Sequence, residues 1–199
     1  MGSGKTTIGR KLARLTGLEF IDADIYLEAK EGKKISEIFA EKGEAYFRNR
    51  ETAYIKELAQ KDGIVLALGG GSVLRPENVA AVKETGLLIL LDTPFYRIMK
   101  NLSYSTNRPL LDKPDKQAET RRLYNARKAL YHRVADIAVR SPRLSEVLEK
   151  VVKSVSAIMP SGAKSSSAPV ISVISRLSQP RTETPLCPGI CSRAASLFA

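Results

Sequence analysis

A chain of 199 residues is long enough for one well-buried domain and an appendage. Its formal net charge is +11, but the lysines and arginines are scattered and carry no interleaved aromatics, which favours small phosphorylated or carboxylated ligands over nucleic acid. No stretch approaches the roughly 20 apolar residues that span a bilayer, no signal peptide is visible, so the cytoplasm is the expected compartment, and Cys187 and Cys191, with no His nearby, make neither a metal site nor a redox motif.

The chain opens on Met1-Gly2-Ser3-Gly4-Lys5-Thr6-Thr7, the second half of G-x-x-x-x-G-K-[ST]. Such a loop wraps backbone N–H groups of Gly2, Ser3 and Gly4 around nucleotide phosphates, with Lys5 on the β- and γ-phosphates and the Thr6 hydroxyl on Mg²⁺. ATP or GTP with magnesium is the implied cofactor. The loop's first glycine and the strand that feeds it would lie before Met1. A helix should follow at once, since its N-terminus completes the anion site. Thr7 to Leu15 fits, with Ile8, Leu12 and Leu15 at helical spacing and Gly17 as the stop.

Leu18 to Ile21 is predicted as a short strand ending in Asp22-Ala23-Asp24. If strand geometry persists, both carboxylates point to one side, one supporting a metal and the other an acceptor hydroxyl; an Asp turn or helix cap is the alternative. Helices are predicted over Ile35–Lys42 and Glu44–Gln60, broken near Gly43. Arg48 and Arg50 on the second could fork a planar carboxylate or simply pair along a solvated face. Ile64 to Leu68 is a buried strand ending in Gly69-Gly70-Gly71, which is either a close approach to a ligand or a plain turn.

A helix starts at Pro76 and runs to about Glu84. Leu87 to Leu91 is a third strand and Phe95 to Leu102 a helix. Ser103 to Lys116, polar with Pro109 and Pro114, is predicted as a mobile lid, on which Arg108 could neutralise charge in a transition state. Gln117 to His132 is helical and carries Arg127, a candidate anion ligand. His132, the only histidine, is taken as a helix-end residue. Ile137–Val139 is a strand and Leu144–Ile158 a last helix. Apolar strands alternating with helices predict an α/β three-layer fold with a parallel sheet covered on both faces, ligands binding at the strands' carboxyl ends. Residues 1–159 form this domain. From Pro160 on, nine of forty residues are Ser and five are Pro, and the segment 160–199 is predicted as a disordered tail, with a transient strand over Val170-Ile171-Ser172-Val173-Ile174 the weaker alternative.

With those residues in hand, the chain from Met1 to about Ile158 resembles bacterial shikimate kinases, P-loop enzymes of the nucleoside monophosphate kinase type. The resemblance rests on M-G-S-G-K-T-T, I-D-A-D, the F-R-x-x-E of Phe47 to Glu51, L-G-G-G, R-P-L-L, and the R-x-x-L-Y of Arg127 to Tyr131. It implies ATP-dependent phosphorylation of the shikimate 3-hydroxyl, on the route to chorismate and aromatic amino acids, by a monomer. It implies Asp24 on the acceptor hydroxyls and Asp22 near Mg²⁺ with Thr6. It also implies Arg48 and Arg127 on the shikimate carboxylate, Gly69, Gly70 and Gly71 about the ring, and Arg108 on the ATP phosphates beside Lys5 and Thr7.

Three departures accompany the resemblance. The family's central first strand is missing ahead of Met1, which would expose two strand edges in mid-sheet. An adenine-stacking arginine is Asn101 here, with Arg97 a weak substitute, and Arg140-Ser141-Pro142-Arg143 is unlike the family's adenine loop. The tail has no family counterpart. A kinase for another small hydroxylated acid, and a nucleotide-binding protein without catalysis, are the competing readings.

Overall fold

Helix α1 (Lys5–Thr16) turns Ile8, Leu12 and Ala13 inward and ends at Gly17, whose φ of 71° closes the helix through a backbone bond to the Ala13 carbonyl. The computed structural model to which it belongs describes residues 3–103, 114–140, 144–158 and 170–175. Strand β1 (Glu19–Asp22) runs directly into helix α2 (Ala23–Glu31), because the Asp22 carboxylate caps the helix by accepting from the Asp24 N–H at 3.1 Å. Sequence pattern missed α2: Leu27 is buried but Ile25 is exposed, so no apolar stripe announces it.

Helix α3 (Ile35–Ala59) contains the anticipated break at Gly43, whose φ of 76° and ψ of 176° no helix interior adopts. Strand β2 (Ile64–Ala67), a 3₁₀ turn (Ser72–Leu74), helix α4 (Pro76–Thr85) and strand β3 (Gly86–Leu91) follow. Then come α5 (Phe95–Ser103), α6 (Pro114–Val134), β4 (Ile137–Val139), α7 (Leu144–Ile158) and β5 (Val170–Ser175). Helix α6 begins at Pro114, inside the segment expected to be lid; residues 104–113 lie outside the described residues.

The five strands form one sheet in the order β1-β2-β5-β3-β4, parallel at every pairing. One face packs Leu66, Leu88, Leu90 and Ile174 against Ile55 and Leu58 of α3, Val82 of α4 and Tyr131 of α6. The other packs Val65, Ile89, Ile171 and Val173 against Ile8 and Leu12 of α1 and Val151 of α7. The predicted three-layer α/β architecture is therefore present.

The sheet's centre corrects two expectations. Val170–Ser175 falls within the segment expected to be disordered, and it occupies the slot between β2 and β3 that was expected to stand open. The composition of forty residues outweighed the one apolar run among them, read only as a transient strand: Val170, Ile171, Val173 and Ile174 are β-branched and at most 1% exposed. A parallel strand buried on both faces needs apolar residues in succession, and that run has them.

Candidate active site

The phosphate-loop end of the site is built by the start of α1. Gly4 holds φ at 86°, a left-handed turn that sets the first helical bond, Ile8 N–H to the Gly4 carbonyl at 2.8 Å. The N–H groups of Lys5, Thr6 and Thr7 then have no intrahelical acceptor and lie at the positive end of the helix dipole. The Ser3 Oγ is buried with no hydrogen-bond partner among the described residues. A buried hydroxyl with no partner among the described residues, beside N–H groups at a helix start, fits a bound anion. Thr93, just past β3, donates to the Ser3 carbonyl at 3.2 Å and fixes the loop to the sheet edge. Gly2 lies outside the described residues, and the Thr7 side is exposed.

Asp22 joins this end to the next element. One of its oxygens accepts from the Thr6 hydroxyl at 3.1 Å while the other caps α2. Because a helix begins at Ala23, strand geometry does not persist, and the same-side expectation for Asp22 and Asp24 is replaced: Asp22 faces α1, and Asp24 sits in the first turn of α2. Burial pulls the Lys5 ammonium below its ordinary range, opposed by the carboxylates of Asp24 and then Asp22. Both aspartates are therefore near enough to Lys5 to act on its charge.

At the other end, Asp24, Arg48 and the glycine turn converge. A Cβ on Gly69 would lie 3.1 Å from Asp24 Oδ1, and one on Gly71 would lie 2.6 Å from Arg48 Nη1, so the turn passes in contact with both. Arg48 is aimed by Glu51 at 2.7 Å and Glu44 at 3.2 Å. Glu51 is itself 5% exposed and accepts from the Ser72 hydroxyl at 2.7 Å, which locks α3 to the turn. From α6, the buried Tyr131 hydroxyl donates to the Gly70 carbonyl. Burial pushes the phenol up to about 12, while the charge and hydrogen bond of Arg127 pull it down, so Arg127 lies beside the hydroxyl that holds the turn.

Several expectations separate here. Arg50 does not join Arg48: it pairs with Glu31 of α2 at 2.6 Å, a bridge between helices to a carboxylate only 8% exposed. Neither the carboxylate fork with Arg48 nor an ion pair along a solvated face of α3 describes it. His132 lies in the last turn of α6 with Asp92 at 3.4 Å, consistent with a helix-end residue. Arg108, with the rest of 104–113, lies outside the described residues, as do residues 141–143. The sequence presents Glu51 only as an ion-pair partner and motif letter, and Tyr131 only as a motif letter on the helix of Arg127. Glu51 three residues after Arg48 was the available signal; nothing in the sequence singled out Ser72.

A glycine-led turn into a helix, at the carboxyl edge of a doubly covered parallel sheet, defines a P-loop kinase fold, and the carboxylate and arginine across from it suit a small anionic acceptor. The shikimate kinase family model matches residues 1–156. Shikimate kinase of Halorhodospira halophila is 43% identical over 155 residues, covering 77% of this chain and 88% of the relative. That of Psychrobacter cryohalolentis is 47% identical over 137 residues, 69% of this chain and 74% of the relative. Among solved structures, the shikimate kinase of Acinetobacter baumannii in complex with shikimate superposes with a TM-score of 0.72 at 34% identity, covering 81% of this chain and 91% of that one. The Aquifex aeolicus enzyme gives 0.66 at 31%, covering 79% and 92%. The chain belongs to the shikimate kinase family.

Proposed function

We propose that this protein transfers the ATP γ-phosphoryl group to the 3-hydroxyl of shikimate, giving 3-phosphoshikimate and ADP, as a cytoplasmic monomer in aromatic amino acid biosynthesis. The observation that carries the proposal is the convergence of Asp24 and Arg48 on the Gly69–Gly71 turn, with Arg127 beside the Tyr131 that holds the turn and Asp24 also acting on Lys5. Shikimate is a ring with hydroxyls on one side and a carboxylate on the other, and the site offers an acceptor for the first and two guanidinium groups for the second. Among the described residues no helix is long and apolar enough to cross a membrane.

Phosphoryl transfer asks a protein chiefly to position its reactants and to stabilise charge. In this reading the N–H groups at the start of α1, with Ser3 and Lys5, hold the phosphates. Thr6 and Asp22, already hydrogen-bonded to each other, would hold Mg²⁺, which when bound neutralises charge on the phosphate oxygens. Asp24 accepts from the attacking hydroxyl and orients it. Arg48 and Arg127 grip the carboxylate and fix the ring, and Gly71 leaves room for Arg48 against the turn. Arg108 is proposed, on sequence alone, to reach the phosphates from the lid.

An acceptor comparison tests this. With ATP and Mg²⁺, shikimate should acquire one phosphoryl group by mass spectrometry. Its methyl ester, which lacks the carboxylate charge, should be turned over only at much higher concentration. Equal turnover of acid and ester, or preference for an unrelated hydroxylated acid, would overturn the assignment.

A further inference from the structure

Strand β5 comes last among the described elements yet lies at the middle of the sheet, and it touches both ends of the candidate site. Its register runs Val65↔Ile171 to Ala67↔Val173 on one side and Gly86↔Val170 to Leu91↔Ser175 on the other. Among the described residues nothing else pairs β2 with β3. At Gly86 a Cβ would run into the Val170 carbonyl, so the two backbones meet there more closely than any side chain allows.

The two faces of β5 have different neighbours. Ile171 and Val173, both fully buried, pack in one cluster with Ile8, Leu12 and Ala13 of α1, the helix whose first turn carries Lys5 and Thr6. Ile174 packs on the opposite face, with Leu66, Leu88 and Tyr131. The Val173 carbonyl also accepts from the Leu68 N–H at 3.0 Å, one residue before Gly69. At the carboxyl end, Ser175 is level with Leu91, two residues before the Thr93 that holds the Ser3 carbonyl.

We infer that β5 is a positioning element of the phosphate site, with Ile171 and Val173 as the positioning residues: they form the seat on which α1 aims its N-terminus. The family match ends at residue 156, so this role falls on a segment outside it. The inference rests on the nucleotide-binding half of the proposed function and not on the identity of the acceptor. Helix α7, which precedes β5 in the chain, packs on the same face of the sheet as α1.

The test uses the intact 199-residue chain and reads ATP affinity, so that it stands whether or not shikimate is the acceptor. Hydrogen exchange followed by mass spectrometry should find the amides of residues 171–175 protected as strongly as those of 88–91. Exchange of 171–175 at the rate of unstructured chain would overturn the inference. Calorimetry with ATP and Mg²⁺ should then give about a tenfold weaker Kd for Val173→Ala, since a small displacement of a ligand-binding helix is felt strongly. Ile174→Ala, on the other face of the same strand, should change Kd less than twofold while lowering Tm comparably, and Val173→Ile should keep near-native affinity. If the two alanine variants lose Tm alike and leave Kd alike, β5 is a structural strand only and the positioning role is wrong. Should Val173→Ala not fold, the same comparison with Ile171→Val against Ile174→Val decides it.

Discussion

In the proposed site Lys5 serves the phosphates and Arg127 the acceptor, and their replacement should separate the two substrates. The charge of Lys5 is acted on by Asp24 and Asp22, so its loss removes a cation that both carboxylates support. Lys5→Ala is expected to lower kcat by about 100- to 1,000-fold or more, the scale of losing one preorganised donor to a transition-state oxyanion. An unchanged rate would remove the phosphate-loop assignment. Arg127 lies beside the Tyr131 hydroxyl that donates to the glycine turn. Arg127→Ala should raise KM for shikimate by about 10- to 100-fold, the worth of a hydrogen-bonded charge, and leave KM for ATP near its native value. A change confined to the ATP KM would place Arg127 on the wrong substrate.

Two elements illustrate how packing claims residues that pattern left ambiguous. Helix α2 is clamped to α3 by Glu31, whose carboxylate accepts from the Tyr54 hydroxyl at 2.7 Å, the Tyr46 hydroxyl at 2.8 Å and Arg50 at 2.6 Å. The Tyr54 bond first, with Arg50 and Tyr46, holds this carboxyl down to about 2 against an ordinary 4.5. A carboxylate whose folded pKa is depressed stabilises the fold above its unfolded pKa and loses that contribution as pH falls through the folded one. Glu31→Gln should therefore destabilise the protein at pH 7, with the deficit shrinking as pH falls from about 4.5 towards 2; urea unfolding at stepped pH would measure it, and a deficit independent of pH would show that the charge is not the cause. In β5, the Ser172 Oγ is buried with no hydrogen-bond partner among the described residues. An unsatisfied buried hydroxyl costs about 1–3 kcal/mol, so Ser172→Ala should raise Tm. A lower Tm would mean that the hydroxyl is not buried in a sheet.

At the scale of the whole molecule, the residues that carry their own signal were legible in sequence and those that depend on a partner were not. Four strands, the break at Gly43 and the phosphate-loop helix announce themselves through apolar runs, glycines and 3.6-residue spacing. Helix α2 does not, because it is held by a cap at Asp22 and by the Glu31 clamp rather than by an apolar stripe. In β5 the apolar run Val170 to Ile174 suggests no more than a transient strand, because its six residues are stable only between two strands that lie far away in sequence. The site follows the same division. Asp24, Arg48 and the glycine triplet stood out as residue types, but which arginine of α3 faces the turn was decided by Glu51 and Ser72 on one side and Glu31 on the other. A sheet closed by β5 and a site assembled across its carboxyl edge are together expected to make a working kinase. Steady-state ADP release by the purified 199-residue chain, with ATP and Mg²⁺ and with shikimate varied, tests that most directly. Release that rises with shikimate and saturates is the expected result; ADP formation indifferent to shikimate would contradict it.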